Sequence, residues 1–262
     1  MEYIIGILIM VGATAYAIFS YRNNTQKAEE IQFQQTTCIK DVLDIIGDLS
    51  ALDENYRHYG EVKGHLHSIT GDVKAPYSER KVAYYENTVY SVNEEKRTER
   101  DEDGNTRTYT EKVEQVLSNE KSPVEIYLSD KSCDEKVYID MESFAGNVDL
   151  MSGCDRFEAN NSSWVKQFNL NFSFANSGGS RFLGYRFFEE ILPEDQPMYI
   201  LGELHKRGDR LYVGRAVKSK KSSHVTYKSE DELLDDIKKA RTMSLVIGVV
   251  GVIVGLIVMV IM

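Results

Sequence analysis

The chain has 262 residues with 31 basic and 41 acidic side chains, a formal net charge of −10, which argues against a nucleic-acid-binding surface. Its three cysteines, Cys38, Cys133 and Cys154, match no zinc-site spacing, and an odd number argues against a disulfide framework, so a reduced compartment fits best.

From Tyr3 to Tyr21 no residue is charged, and an Ile-, Leu- and Val-rich run fills that stretch. A helix of this length, at about 1.5 Å per residue, just covers the roughly 30 Å hydrocarbon layer of a bilayer, so 1–21 is read as a transmembrane helix. A cleaved signal peptide fits less well, because there is no basic n-region and no small-x-small site. The apolar positions Ile31, Ile39, Val42, Leu43, Ile45, Ile46 and Leu49 keep a helical spacing interrupted over Gln34 to Thr37, and 22–55 is read as a stalk helix.

From Tyr56 onward short runs rich in Val, Ile, Tyr and Phe alternate with Gly-, Asp-, Asn- and Lys-rich turns, the signature of strands. Candidate strands are Tyr59 to Ser68, Val82 to Val92, Thr106 to Leu117, Val124 to Leu128, Val137 to Ile139, Arg181 to Ile191, Pro197 to Lys206 and Arg210 to Val217. Together they define a β-rich domain over 56–228. The charged segment Asn93 to Asn105, with Asp103-Gly104 as its turn signal, is expected to be a long solvated hairpin tip. A second hairpin should turn at Arg207-Gly208-Asp209. The run Lys218, Lys220, Lys221 is read as a solvated loop rather than a lipid or phosphate contact, and the sequons at Asn23, Asn160, Asn161 and Asn171 would matter only in a secretory lumen.

Ser229 and Glu232 form a capping box that opens a linker helix over 229–241, and 242–262 is again free of charge and read as a second transmembrane helix. Gly251 and Gly255, with Gly248 one turn earlier, make a small-residue face, and the first span offers Gly12, Ala13, Ala15 and Ala17. Close contact is expected, either between the spans of one chain or between chains in a homo-oligomer. Arg22 and Lys27 follow the first span, while Lys238, Lys239 and Arg241 precede the second. This bias puts the central domain in the cytoplasm, or its topological equivalent, with both termini outside.

No catalytic constellation stands out. His65 and His67 share one strand face without a further ligand, and Ser177-Gly178-Gly179-Ser180 lacks the Lys and the helix of a phosphate cradle. The aromatic residues Phe168, Phe172, Phe174, Phe182, Tyr185, Phe187 and Phe188 are read as core rather than a groove. Adjacent Glu189 and Glu190 should face opposite ways on a strand and cannot act as a pair. No cofactor and no metal site is expected, and the chain is read as not an enzyme.

Ala75-Pro76-Tyr77-Ser78-Glu79-Arg80-Lys81-Val82-Ala83-Tyr84-Tyr85, Ser122-Pro123-Val124-Glu125-Ile126-Tyr127-Leu128, Gly184-Tyr185-Arg186-Phe187-Phe188-Glu189-Glu190-Ile191-Leu192-Pro193 and Met198-Tyr199-Ile200-Leu201-Gly202-Glu203-Leu204, set between two spans, resemble the GIDE domain. This is the beside-a-membrane (BAM) domain between the spans of MULAN-type membrane E3 ubiquitin ligases. The resemblance marks Pro76, Tyr84, Tyr85, Pro123, Gly184, Tyr185, Glu190, Pro193 and Gly202 as motif positions. In those ligases a zinc-bound RING follows the second span. No C-x-x-C pair occurs in these residues, so ligase activity is not carried over.

The expected fold is α+β and predominantly antiparallel β, a partly closed barrel or two small sheets flanked by the terminal transmembrane helices. The expected function is that of a membrane-anchored module that touches membrane lipid and binds or scaffolds a protein partner. The alternatives are an E3-ligase-like protein that works with a separate RING or ubiquitin-like partner, and an oligomerising membrane effector.

Overall fold

The computed structural model describes residues 2–32, 38–50, 56–100, 104–160, 162–168, 180–217 and 221–261. Phe172, Phe174, Ser177 to Gly179, Asn161, Asn171, Lys218, Lys220, Gln34 to Thr37 and Asp103, which figured in the sequence reading, lie outside them. The elements run α1 (Glu2–Gln32), α2 (Ile39–Ser50), β1 (His58–Ser68), β2 (Val82–Arg100), β3 (Thr106–Lys121), β4 (Ile126–Ser129) and β5 (Val137–Ile139). They continue with β6 (Met151–Ala159), α3 (Ser163–Gln167), β7 (Ser180–Pro193), β8 (Gln196–Arg207), β9 (Arg210–Gly214), β10 (His224–Thr226) and α4 (Glu230–Ile261). The fold is α+β with mostly antiparallel strands, and the chain divides into two compact units: residues 1–65, 128–149 and 197–262, and residues 66–127 and 150–196.

In the first unit α1 is continuous from Glu2 to Gln32, so residues 22–32 extend the first apolar helix instead of opening a separate stalk. The remainder of the expected stalk is α2, an independent amphipathic helix that buries Ile39, Val42 and Ile46 on one face. Its first turn is tied down where Ile39 N donates to Asp130 Oδ2 at 2.9 Å. The strands β1, β4, β5, β9 and β8 hydrogen-bond in that order and close through β1–β8 pairing, a five-stranded barrel with β10 added on β8. Closure leaves the ring without an open edge. β8 and β9 form the expected hairpin, with Gly208 at φ +62°, while β5 pairs β9 in parallel with Val137 opposite Leu211. Val62, Leu128, Val137, Phe144, Leu204 and Val213 are fully buried in this unit.

The second unit is a four-stranded antiparallel sheet in the order β3-β2-β7-β6. The charged segment expected as a loop over Asn93 to Asn105 is largely strand. β2 continues to Arg100, and Arg100 lies opposite Thr106 in a ladder with β3 that keeps its register from Tyr90 onward. Cross-strand pairing of opposite charges makes this possible on a ribbon wet on both faces: Arg97 Nε lies 2.8 Å from Glu111 Oε2, and Glu94 sits opposite Lys112. β6, β10 and α3 were absent from the sequence reading. β6 is polar and carries a bulge between Ser152 and Cys154 that breaks its alternation, and the other two are only three and five residues long.

Candidate functional site

The two long apolar helices pack antiparallel within the chain. The helices Tyr3–Gln32 and Glu230–Val260 each contain a stretch long and apolar enough to cross a membrane. A Cβ added at Gly251 would overlap the Cβ of Ala13, one at Gly248 would lie 2.7 Å from that of Ala17, and one at Gly255 would strike Met10 and the Gly6 carbonyl. The predicted face Gly248, Gly251, Gly255 therefore meets Ala13 and Ala17 of the same chain, plus Gly6, which the sequence reading missed. Gly12 has nothing within 4 Å, and Ala15 is exposed. Two apolar surfaces gain no hydrophobic drive to associate inside lipid, so small residues that let backbones approach supply the packing.

At the domain end of this pair Ser244 Oγ donates to Ala240 O at 2.8 Å and receives Ser20 Oγ at 2.7 Å. One turn further, Arg241 stacks over the Tyr21 ring at 5.0 Å and donates to its hydroxyl at 3.3 Å, an aromatic-cation pair where the charge-free stretches stop. Beyond it Ile31, Leu233, Tyr199 and Leu201 form one buried cluster, so both helices seat on β8. The capping box is formed at the start of α4: Ser229 N donates to Glu232 Oε2 at 2.8 Å, and Glu232 N to Ser229 Oγ at 3.3 Å.

In the second unit the Ala75 to Arg80 motif is a tight turn, closed by Ala75 N to Arg80 O at 2.9 Å and Glu79 N to Ala75 O at 3.0 Å. The turn is latched by Glu189, whose fully buried carboxylate accepts from Tyr77 N at 2.7 Å and Ser78 N at 3.0 Å. With its amide nitrogen turned inward, Asn87 adds a third donor at 3.3 Å. Gly153, the bulged residue of β6, makes room: a Cβ there would lie 2.8 Å from Glu189 Oε1. Burial pushes the Tyr77 phenol up to about 12, helped by Glu120 and Glu189. Its ring stands edge-on to Phe168 and Phe187, each at 5.2 Å, with Trp164 4.4 Å from Phe187. Phe182 and Tyr185 join this core. Phe188 points the other way, beneath Arg186, which bonds Asp155 through two nitrogens at 2.7 Å and Glu114 at 2.8 Å.

Glu190 turns away from Glu189 and lies opposite Glu86, and burial with that neighbour raises its carboxyl. Glu86 in turn accepts from Tyr84 and Lys121, each at 2.8 Å. Tyr85 is half-buried, its phenol raised by burial, and Pro193 closes β7 opposite Val82. Pro76 and Pro123 are exposed in connections. At Gly184 a Cβ would strike the Glu158 carbonyl of β6, and at Gly202, in the first unit, it would strike the Gly214 carbonyl beside the Phe144 ring. Both glycines are thus demanded by close backbone approach.

With this geometry in place, comparison with known families is decisive: the GIDE family, described as E3 Ubiquitin ligase, matches residues 94–260. The chain belongs to the GIDE family. No curated protein and no solved structure matches it. The match takes in the Gly184 and Gly202 segments and nearly all of α4. The Ala75 to Tyr85 segment precedes it, although its turn is latched to Glu189 inside the GIDE region.

Elsewhere in this GIDE chain His65 is exposed, and His67 Nδ1 lies 3.0 Å from Glu194 Oε1. The three cysteines are free thiols, and among the described residues no group of three or more His, Cys, Asp or Glu stands close enough to share a metal ion. An open groove of about 950 Å³ in the first unit is lined by Cys38, Lys63, His65, Asp130 and Tyr199 among others. One of its charges, Lys63, lies 3.0 Å from Glu61, which also accepts from Tyr199 Oη at 2.9 Å.

Asp149 in this unit accepts from His224 Nε2 at 3.1 Å and Thr226 Oγ1 at 2.7 Å, with Lys228 4.0 Å away. The His224 bond foremost, with those of Thr226 and the Lys228 charge, holds its carboxyl down to about 2. A carboxyl depressed in the folded state contributes stability above its unfolded pKa of about 4 and loses it as pH falls toward 2, here about 2 kcal/mol. Acid unfolding followed from pH 5 to pH 2 is expected to show this loss in the parent chain and not in Asp149→Asn.

Proposed function

We propose that this GIDE protein is a membrane-anchored, partner-binding or scaffolding module, held by α1 and α4 with its β-rich domain on the cytoplasmic face and both termini opposite. It performs no chemistry of its own on this reading. The antiparallel packing of the two helices supports the anchor, because it returns the chain to the side from which it entered.

The observation that carries partner binding is the open edge of β3. This strand has 16 residues, exposed along most of its length, and ends the order β3-β2-β7-β6. Such an edge is a template onto which an extended segment of another protein adds as a further strand. Val116 stands 61 % exposed there.

The test is affinity purification of the full chain from its own membranes in mild detergent, beside Val116→Lys, a charge placed on the edge. Retained partner is expected to fall about tenfold in the variant while its melting temperature is unchanged. Equal retention would remove β3 as the docking edge. The family description favours a second reading, in which the chain works with a separate RING-bearing or ubiquitin-like protein; recovery of such a protein in the same purification would support it. An oligomerising effector is less well supported, since Gly248, Gly251 and Gly255 already face α1 of their own chain.

A further inference from the structure

We infer that a pocket at the membrane end of the barrel binds a phosphate anion supplied by an anionic lipid headgroup. The pocket has a volume of about 450 Å³ and lies between α1, α4 and the strands of the same unit. The chain as a whole carries a net charge of −10, yet this pocket gathers four cations, Lys27, Arg215, Lys221 and Lys228, against the two carboxylates Asp149 and Asp236.

Those carboxylates are already engaged. Asp149 is held by His224 and Thr226, and Asp236 takes Lys228 Nζ at 2.7 Å. Lys27, Arg215 and Lys221 are exposed and form no ion pair among the described residues. The backbone beside Arg215 and Lys221 is held in place. Lys221 Nζ stands 4.5 Å from the centre of the Tyr59 ring, the next residue donates Ser222 N to Glu30 Oε2 at 2.9 Å and accepts from Tyr59 Oη at 2.7 Å, and Ala216 N, beside Arg215, donates to Ser223 Oγ at 2.8 Å. A cationic pocket held by such bonds suits a compact, multiply charged oxyanion.

Depth selects the lipid as the source. The charge-free stretches end at Tyr21 and Thr242, and Ala240 lines the pocket. Asn24, also in the lining, and Lys27 follow Tyr21 by about 4.5 and 9 Å along the helix. The polar zone of a bilayer is roughly 5–8 Å deep on each face, so a long cationic side chain at that level reaches headgroup phosphates.

The inference rests on membrane anchoring but not on partner docking. The full chain, purified in mild detergent, is offered equal amounts of phosphatidylglycerol and phosphatidylcholine, and retained lipid is counted by native mass spectrometry. About tenfold preference for phosphatidylglycerol is expected. The variant Lys27→Gln/Arg215→Gln/Lys221→Gln should lose that preference with its circular dichroism unchanged, and Lys27→Arg/Lys221→Arg should keep it. Equal retention of both lipids by the parent chain, or an undiminished preference in the triple variant, would overturn the site. A melting temperature raised by inorganic phosphate without lipid preference would overturn the lipid source. Alkaline carbonate extraction of membranes separates the two readings: a chain that washes off fails as an anchor, and one that stays without preferring phosphatidylglycerol fails only here.

Discussion

Gly251→Leu is expected to force α1 and α4 apart and to destabilise the full chain in mild detergent by about 2–3 kcal/mol, while Gly12→Leu on the neighbouring face changes almost nothing. The contrast follows from geometry. A Cβ at Gly251 falls on the Cβ of Ala13, with no flexible side-chain end to move aside, whereas Gly12 has open space around it. Gly255→Leu should behave like Gly251→Leu, because its Cβ would meet Met10 and the Gly6 carbonyl oxygen. The smaller exchange Gly251→Ala should be rescued by Ala13→Gly, with a coupling of about 1 kcal/mol in a double-mutant cycle. Thermal unfolding in one detergent checks all of these. If Gly251→Leu and Gly12→Leu melt together, the helices do not meet along this face.

The second large effect is expected at Glu189. Removing this carboxylate by Glu189→Ala leaves Tyr77 N and Ser78 N without their acceptor, and each such loss costs about 1–3 kcal/mol, so the variant should be less stable by about 3–5 kcal/mol. Glu189→Gln keeps the shape but turns an amide toward a backbone N–H, and should fall between the parent and the alanine variant. Denaturant unfolding measures the loss, and amide exchange at Tyr77 and Ser78 should accelerate first, because Glu189 is the acceptor both amides use. A Glu189→Ala protein within about 0.5 kcal/mol of the parent would mean that the latch does not hold the turn.

This latch shows how a sequence motif acquires meaning only in the fold. Ala75-Pro76-Tyr77-Ser78 and Glu189-Glu190 were both visible as family-like segments, but they lie 112 residues apart between Tyr77 and Glu189. Strand alternation predicts that Glu189 and Glu190 part company. It does not say which of them is buried, and Gly153, which makes the burial possible, sits in a strand with too little alternation to be read.

The sequence by itself determined the features whose causes are local. Two stretches without charge are apolar enough to form spanning helices, Ser229 and Glu232 cap α4, and Gly208 turns the β8–β9 hairpin, each within a few residues of its signal. The tertiary structure decided what depends on partners distant along the chain. The glycine face of α4 finds Ala13 and Ala17 of its own chain, β2 continues through charged residues because β3 answers them, and five strands close into a barrel through β1–β8 pairing. A polar run looks like a loop until a complementary strand lies beside it. A small-residue face likewise names its partner only when another backbone arrives within van der Waals distance.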